Sequence, residues 1–254
     1  MTDLTRSFSY PFRGPDWLGR VLVGALLEFL PVVAALPLLA HLLHRPHLAP
    51  SSGLRLLPLV IIVSVAARFV VFGYLRRVAL GVLAGREEGL PAWDQFGDDL
   101  VEGFKLTVVA VGLWLPAVAI VAGLTLLVTA LAGTNVAWVP ILLVGPPAVL
   151  ATIAYMPAGL LAMIADGDMT AAFDVDGVTH RIGRVFGPYV LAFVVAMAAE
   201  IFAQFGLLLC CVGIFATRFA AHCVVVHAFA CVHREAMTPA PAAPASPAPT
   251  STAS

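Results

Sequence analysis

The chain has 254 residues, of which 61% are hydrophobic and 11% charged, and its mean hydropathy is +0.98. A soluble domain carries roughly 25% charged residues, so this chain cannot clothe a water-facing surface, and its main solvent is read as lipid. The net charge of -1 withholds the basic footprint that nucleic acid requires.

The N-terminal arm, 1–18, is polar ("MTDLTRSFSYPFRGPDW") and ends in no small-residue cleavage site. No removable signal peptide is therefore expected, and the first apolar run serves as an uncleaved anchor. A crossing helix needs about 20 apolar residues. Six segments qualify, near 19–43, 55–83, 105–132, 136–165, 186–208 and 210–233.

After the first span comes "HLLHRPH", with His41, His44 and His47 at three-residue steps. His41 and His44 share a helical face and are weak candidates for a metal. Pro46 breaks the helix before the third histidine, and no acid or thiol lies near. The bland reading, interfacial histidines, is preferred, and no metal or other cofactor is expected.

The stretch "GLPAWDQFGDDLVEGFK", after the second span, is polar where its surroundings are not. Trp93, Phe96, Leu100 and Phe104 recur at helical spacing, with Asp94, Gln95, Asp98, Asp99 and Glu102 opposite. Pro91 suits a first turn. The pattern predicts an interfacial amphipathic helix near 90–104, its aromatics in lipid and its acids toward a basic partner or the chain's own Arg76, Arg77 and Arg86. A second such helix is expected near 170–185, with Val175, Val178, Ile182 and Val185 on one face. "LVGPPAVLATIAYMPAG" must bend or break the fourth span, since each proline removes a helix hydrogen bond.

All four cysteines, Cys210, Cys211, Cys223 and Cys231, fall in the last apolar stretch without a repeated metal-ligand spacing, and read as membrane thiols. His222, His227 and Cys231 are better explained by interhelical hydrogen bonds than by zinc. The tail, 236–254, is Pro/Ala-rich and expected to be disordered.

Orientation follows the positive charges. Arg6, Arg13, Arg20, Arg76, Arg77, Arg86, Lys105, Arg181, Arg184 and Arg234 fall on one side, against Arg45 and Arg55 on the other. Both termini are therefore expected in the cytoplasm, in the inner (cytoplasmic) membrane. Each polar segment precedes a pair of spans, and "FLPVVAAL" and "WLPAVAIV" match around Leu-Pro, so the fold is read as three hairpins with cytoplasmic interfacial helices.

Ionisable groups within spans are functional candidates, because charge is costly in lipid. These are Glu28, Arg68, Glu200 and Arg218, with Gln204 one turn from Glu200. Glu28 and Arg68 are at depths compatible with a pair, and Glu200 with Arg218 likewise. Structural clamps and a polar path explain them equally well. Nucleophile elbows, phosphate loops and the His-Glu-x-x-His motif are absent, so no catalytic residue is assigned.

The stretches "YPFRGPDWLGRVLVGALLEFLP", "FGYLRRVALGVLAGREEGLPAWDQFGDDLVEGFK", "AAFDVDGVTHRI" and "CCVGIFATRFAAHCVVVHAFACVHR" resemble the prokaryotic membrane family catalogued as domain of unknown function 4013. The likeness runs from about Tyr10 to Arg234. The longer loop "HLLHRPHLAPSSG" and the Pro-rich tail depart from it. The resemblance implies a multispan membrane protein and supplies no catalytic residues. The expectation is an all-α six-span membrane domain (19–235) with a structural, scaffolding or partner-binding role; its partners are the bilayer and a homo-oligomeric or other membrane protein mate. The alternative is a small transporter or channel for a lipid-like or small solute.

Overall fold

The computed structural model describes residues 6–44, 56–86, 88–208 and 213–238; the side chains of 40–44 are outside that description. Among the described residues the chain is all-α. A short helix α1 (Arg6–Ser9) and a 3-10 turn (Tyr10–Phe12) precede α2 (Trp17–His44). There follow α3 (Leu57–Leu83), α4 (Phe96–Ala132), α5 (Trp138–Leu143), α6 (Gly145–Asp166), α7 (Val175–Arg184), α8 (Phe186–Phe205) and α9 (Gly213–Met237). Six helical segments are long and apolar enough to cross a membrane, α5 and α6 together forming the fourth. The protein is a multispan membrane protein.

Helix α9 is the axis of the bundle and packs on α2, α3, α6, α7 and α8. Its buried residues, Phe219, Cys223, Val224, His227, Ala228, Cys231 and Val232 among them, fall on more than one face. This explains why the least hydrophobic span lies inside. Lipid selects for apolar surface, whereas the interior selects for fit. Helix α4, at the rim, packs chiefly on α3 among the spans before it and exposes Val111, Leu115, Val118 and Leu126.

Glycine sets the closest crossing. A Cβ on Gly73 of α3 would overlap the Asp99 carbonyl of α4, and one on Gly103 would overlap the Phe69 carbonyl of α3. The two backbones therefore meet directly, as small residues allow in membrane helices. In the fourth span the helix breaks at Val144, and Gly145 with Pro146 and Pro147 opens α6. The prolines occupy a first turn, where no amide is needed for the ladder. Pro31, Pro37, Pro116 and Pro157 instead sit inside helices that continue through them.

The expected interfacial helix from Pro91 is not formed. Residues 90–95 are irregular, and α4 starts at Phe96 and runs without interruption into the third span, which thus begins well before 105. The reason is local. Four consecutive carbonyls that a helix would have used accept bonds from side chains elsewhere. Tyr10 donates to Gly89 at 3.0 Å, Arg20 to Leu90, Tyr74 to Pro91 at 2.8 Å and Arg77 to Ala92 at 2.9 Å. The second segment does form its own helix, α7, with the Asp174 carboxylate capping the Gly177 amide at 3.0 Å.

Both described ends meet at the arginine-rich end of the bundle. The Arg234 guanidinium on α9 donates to the Val82 carbonyl on α3 at 2.9 Å, and Arg184 donates to the Thr238 carbonyl. The buried Ser7 hydroxyl lies 2.9 Å from His227 Nδ1, and the Tyr10 ring packs 4.4 Å from that imidazole.

Candidate functional site: an intramembrane charge chain

Four helices bring ionisable groups together within the spans, Glu28, Arg68 and His222 near the middle of theirs and Glu200 in the last third of α8. Glu28 of α2 is buried, with Oε1 at 3.6 Å from Arg68 Nη1 of α3 and 3.5 Å from His222 Nδ1 of α9. On its other edge the same imidazole presents Nε2 at 3.9 Å from Glu200 Oε1 of α8. The order is Arg68, Glu28, His222, Glu200, a continuous chain of alternating character.

Its ends differ from its middle. The Glu28 side chain is 3% exposed and His222 20%, whereas Arg68 is 42% and Glu200 48% exposed. The middle is shielded by α2 and α9, and each end opens to the outside of the bundle. Arg218 is also exposed and lies within Coulomb reach of Glu28.

The pairing of Glu28 with Arg68 is thus present, but that of Glu200 with Arg218 is not. Arg218 forms no ion pair with Glu200 among the described residues; His222, one turn further along α9, faces it instead. Residues at one depth need not share an azimuth, and a turn of helix moves a side chain only about 5.4 Å along the axis. Gln204 is exposed and outside the chain. His222 is the member that span depth alone did not single out. Its signal is the i+4 spacing from Arg218.

The residues expected on an interfacial helix near 90–104 divide. Trp93 turns inward, stacked on Tyr74 with centroids 3.7 Å apart and donating from Nε1 to the Arg20 carbonyl at 2.8 Å. Phe96, Leu100 and Phe104 are 45%, 38% and 52% exposed. The buried stripe of α4 is instead Asp99, Gly103, Leu106 and Val109. Asp99, 2% exposed, takes Arg77 Nε and Nη2 at 2.8 and 2.7 Å, a bidentate pair. Asp94 also contacts Arg77, and Glu102 bridges Arg76 and Lys105. Asp98 is exposed.

Among the described residues no group of three or more His, Cys, Asp or Glu is arranged to hold a metal ion. The side chains of His41 and His44 lie outside the described residues. Cys231 Sγ lies 3.7 Å from His227 Nδ1, one turn apart on α9.

The family described as Protein of unknown function (DUF4013) matches residues 56–212. The match is narrower than the Tyr10–Arg234 likeness and leaves out the first and last spans. No curated protein and no solved structure matches the chain.

Proposed function

The chain belongs to the DUF4013 family, whose description names no activity, and from the charge geometry we propose that it is a non-enzymatic membrane scaffold that associates laterally through its intramembrane charge chain. The carrying observation is the exposure of Arg68 (42%), midway along α3, and of Glu200 (48%), within the last third of α8. Exposed to lipid, either group is expensive, and intramembrane ionisable residues are normally paired. A partner helix that covers them needs a basic group against Glu200 and an acidic one against Arg68. A second copy of the chain carries both, and closed symmetric pairs are the commonest assemblies.

The acidic face of α4 supports a partner less well, because Arg76, Arg77 and Lys105 already take Asp94, Asp99 and Glu102. The transport alternative is weaker too. The chain comprises three contacts of 3.6, 3.5 and 3.9 Å across four helices, too short a run to join one membrane face to the other. The arginine bias supports a cytoplasmic side for both termini, and with it a place in the inner membrane.

The test counts copies per particle by single-molecule photobleaching in bilayers at low protein density. The wild type is expected to give two-step traces. Glu200→Gln and Arg68→Gln should each shift the population to one step with helix content by circular dichroism unchanged. Single steps for the wild type contradict the reading.

A further inference from the structure

The arginine-rich end holds a second feature, separate from the mid-membrane chain. A cleft of about 720 Å³ opens between the N-terminal arm, the last turns of α3 and the loop that follows it. Arg20, Arg76, Arg77 and Arg86 line it, with Glu88 as the one carboxylate among the described lining residues. Guanidinium forks match phosphate oxygens in pairs, so the question is how much of this charge internal pairing leaves over.

Arg77 is spent: Nε and Nη2 hold Asp99, and Nη1 holds Asp94 and the Ala92 carbonyl. Arg20 gives one Nη to the Leu90 carbonyl and makes only a long contact, 3.8 Å, with the exposed Asp16. Arg76 meets Glu102 through Nε at 3.4 Å, and Lys105 competes for that carboxylate at 2.7 Å. Arg76 is nonetheless only 25% exposed, and among the described residues no acid other than Glu102 pairs with it. Arg86 is exposed and forms no ion pair among the described residues.

Glycine keeps the walls thin. Gly14 and Gly89 line the cleft at φ +88° and +109°, a conformation that side chains other than glycine's rarely adopt. The space is of ligand size, since small-molecule pockets run roughly 300–1,000 Å³. It also lies where α3 reaches its end, at the polar margin of an otherwise apolar bundle.

We propose that this cleft binds a phosphate group of the kind a phospholipid headgroup carries, held by Arg76 and Arg86 with Arg20 at its side. Basic pockets between helices at a membrane face suit anionic headgroups. The lateral association proposed above does not depend on this site.

The test uses the full chain in nanodiscs of phosphatidylcholine doped with phosphatidylglycerol, read by native mass spectrometry for retained lipid. The wild type should retain phosphatidylglycerol over phosphatidylcholine. The double variant Arg76→Gln/Arg86→Gln should lose that preference by about tenfold or more, as the loss of two charge-assisted bonds implies. Arg184→Gln, at the same end but outside the cleft, should behave as wild type. A second arm adds inorganic phosphate to pure phosphatidylcholine discs. A rise in unfolding temperature that the double variant lacks identifies the bare phosphate as sufficient; lipid retention without that rise identifies the headgroup. If the double variant does not fold, Arg86→Gln alone keeps the test, because among the described residues that side chain forms no ion pair. Retention equal for both lipids together with no phosphate shift, or a preference unchanged in the variants, overturns the proposal.

Discussion

Asp99 shows how a single carboxylate fixes the arginine-rich end. It is 2% exposed and held in a bidentate pair by Arg77, with its own backbone carbonyl against Gly73. Removing Arg77 strands that charge, so Arg77→Ala should cost about 3–5 kcal/mol, read by chemical or thermal unfolding in detergent. The double variant Arg77→Met/Asp99→Leu should cost less than Arg77→Ala, since no orphan charge remains. At the exposed Asp168, hydrogen bonds from the Thr170 hydroxyl and amide hold the carboxyl below its ordinary range. Its capping contribution is thus complete above the ordinary aspartate range and lost as pH falls through the lowered value. Thr170→Val should move its titration back up, as followed by carboxyl carbon resonances. The sequence made the pair of Glu28 and Arg68 legible, because depth along two spans could be counted. It offered Arg77 as a partner for the acids that include Asp99, but hid that Asp99 is buried, since an acid among acids reads as solvent-facing. It also misassigned the partner of Glu200, because depth carries no information on which way a helix face turns.

At the scale of the element, α4 is the largest departure from the pattern. Its period was correct and its boundary was not: the aromatic stripe Phe96, Leu100, Phe104 is real, but it is the outward side of a helix that grips α3 with Asp99 and Gly103. No breaker separates Phe96 from Lys105, so the segment continues into the span, while Pro91 sits in a loop pinned by Tyr10, Arg20, Tyr74 and Arg77. Spin labels at Phe96 and Val111, both exposed and 15 residues apart, should therefore lie about 22 Å apart along one straight axis. A flat interfacial helix joined at an angle near 105 would give a clearly shorter distance. The glycine crossing is equally exacting. Gly103→Val should cost more than the roughly 1–3 kcal/mol of ordinary overpacking, because the added atoms meet backbone and not a side chain that can swing away. Unfolding with α3 and α4 cross-linked or separated reads this directly. The helix α7 was legible as an element but not at its start: residues 169–173 form a 3-10 turn, the helix begins at Val175, and Val175 itself is 58% exposed while Val178 is buried.

For the whole molecule, six spans and an all-α bundle followed from apolar run lengths, and α9 as the axis did not. Hydropathy ranks spans by affinity for lipid, and the innermost span is the one that needs it least. The two described ends meet at the arginine-rich end, so labels there should share one side of the membrane. In a background without native cysteines, Ser9→Cys and Thr238→Cys should react only from the cytoplasm and Thr134→Cys only from outside. Labelling of either end residue from outside would reverse the orientation. The central claim is that protein, rather than lipid, covers the outer ends of the chain formed by Arg68, Glu28, His222 and Glu200. A spin label at Met197, exposed on α8 and one turn before Glu200, reports on that contact. Pulsed dipolar measurements on singly labelled chains in bilayers should give a defined distance between copies, abolished by Glu200→Gln. A decay indistinguishable from randomly dispersed single copies would contradict the account.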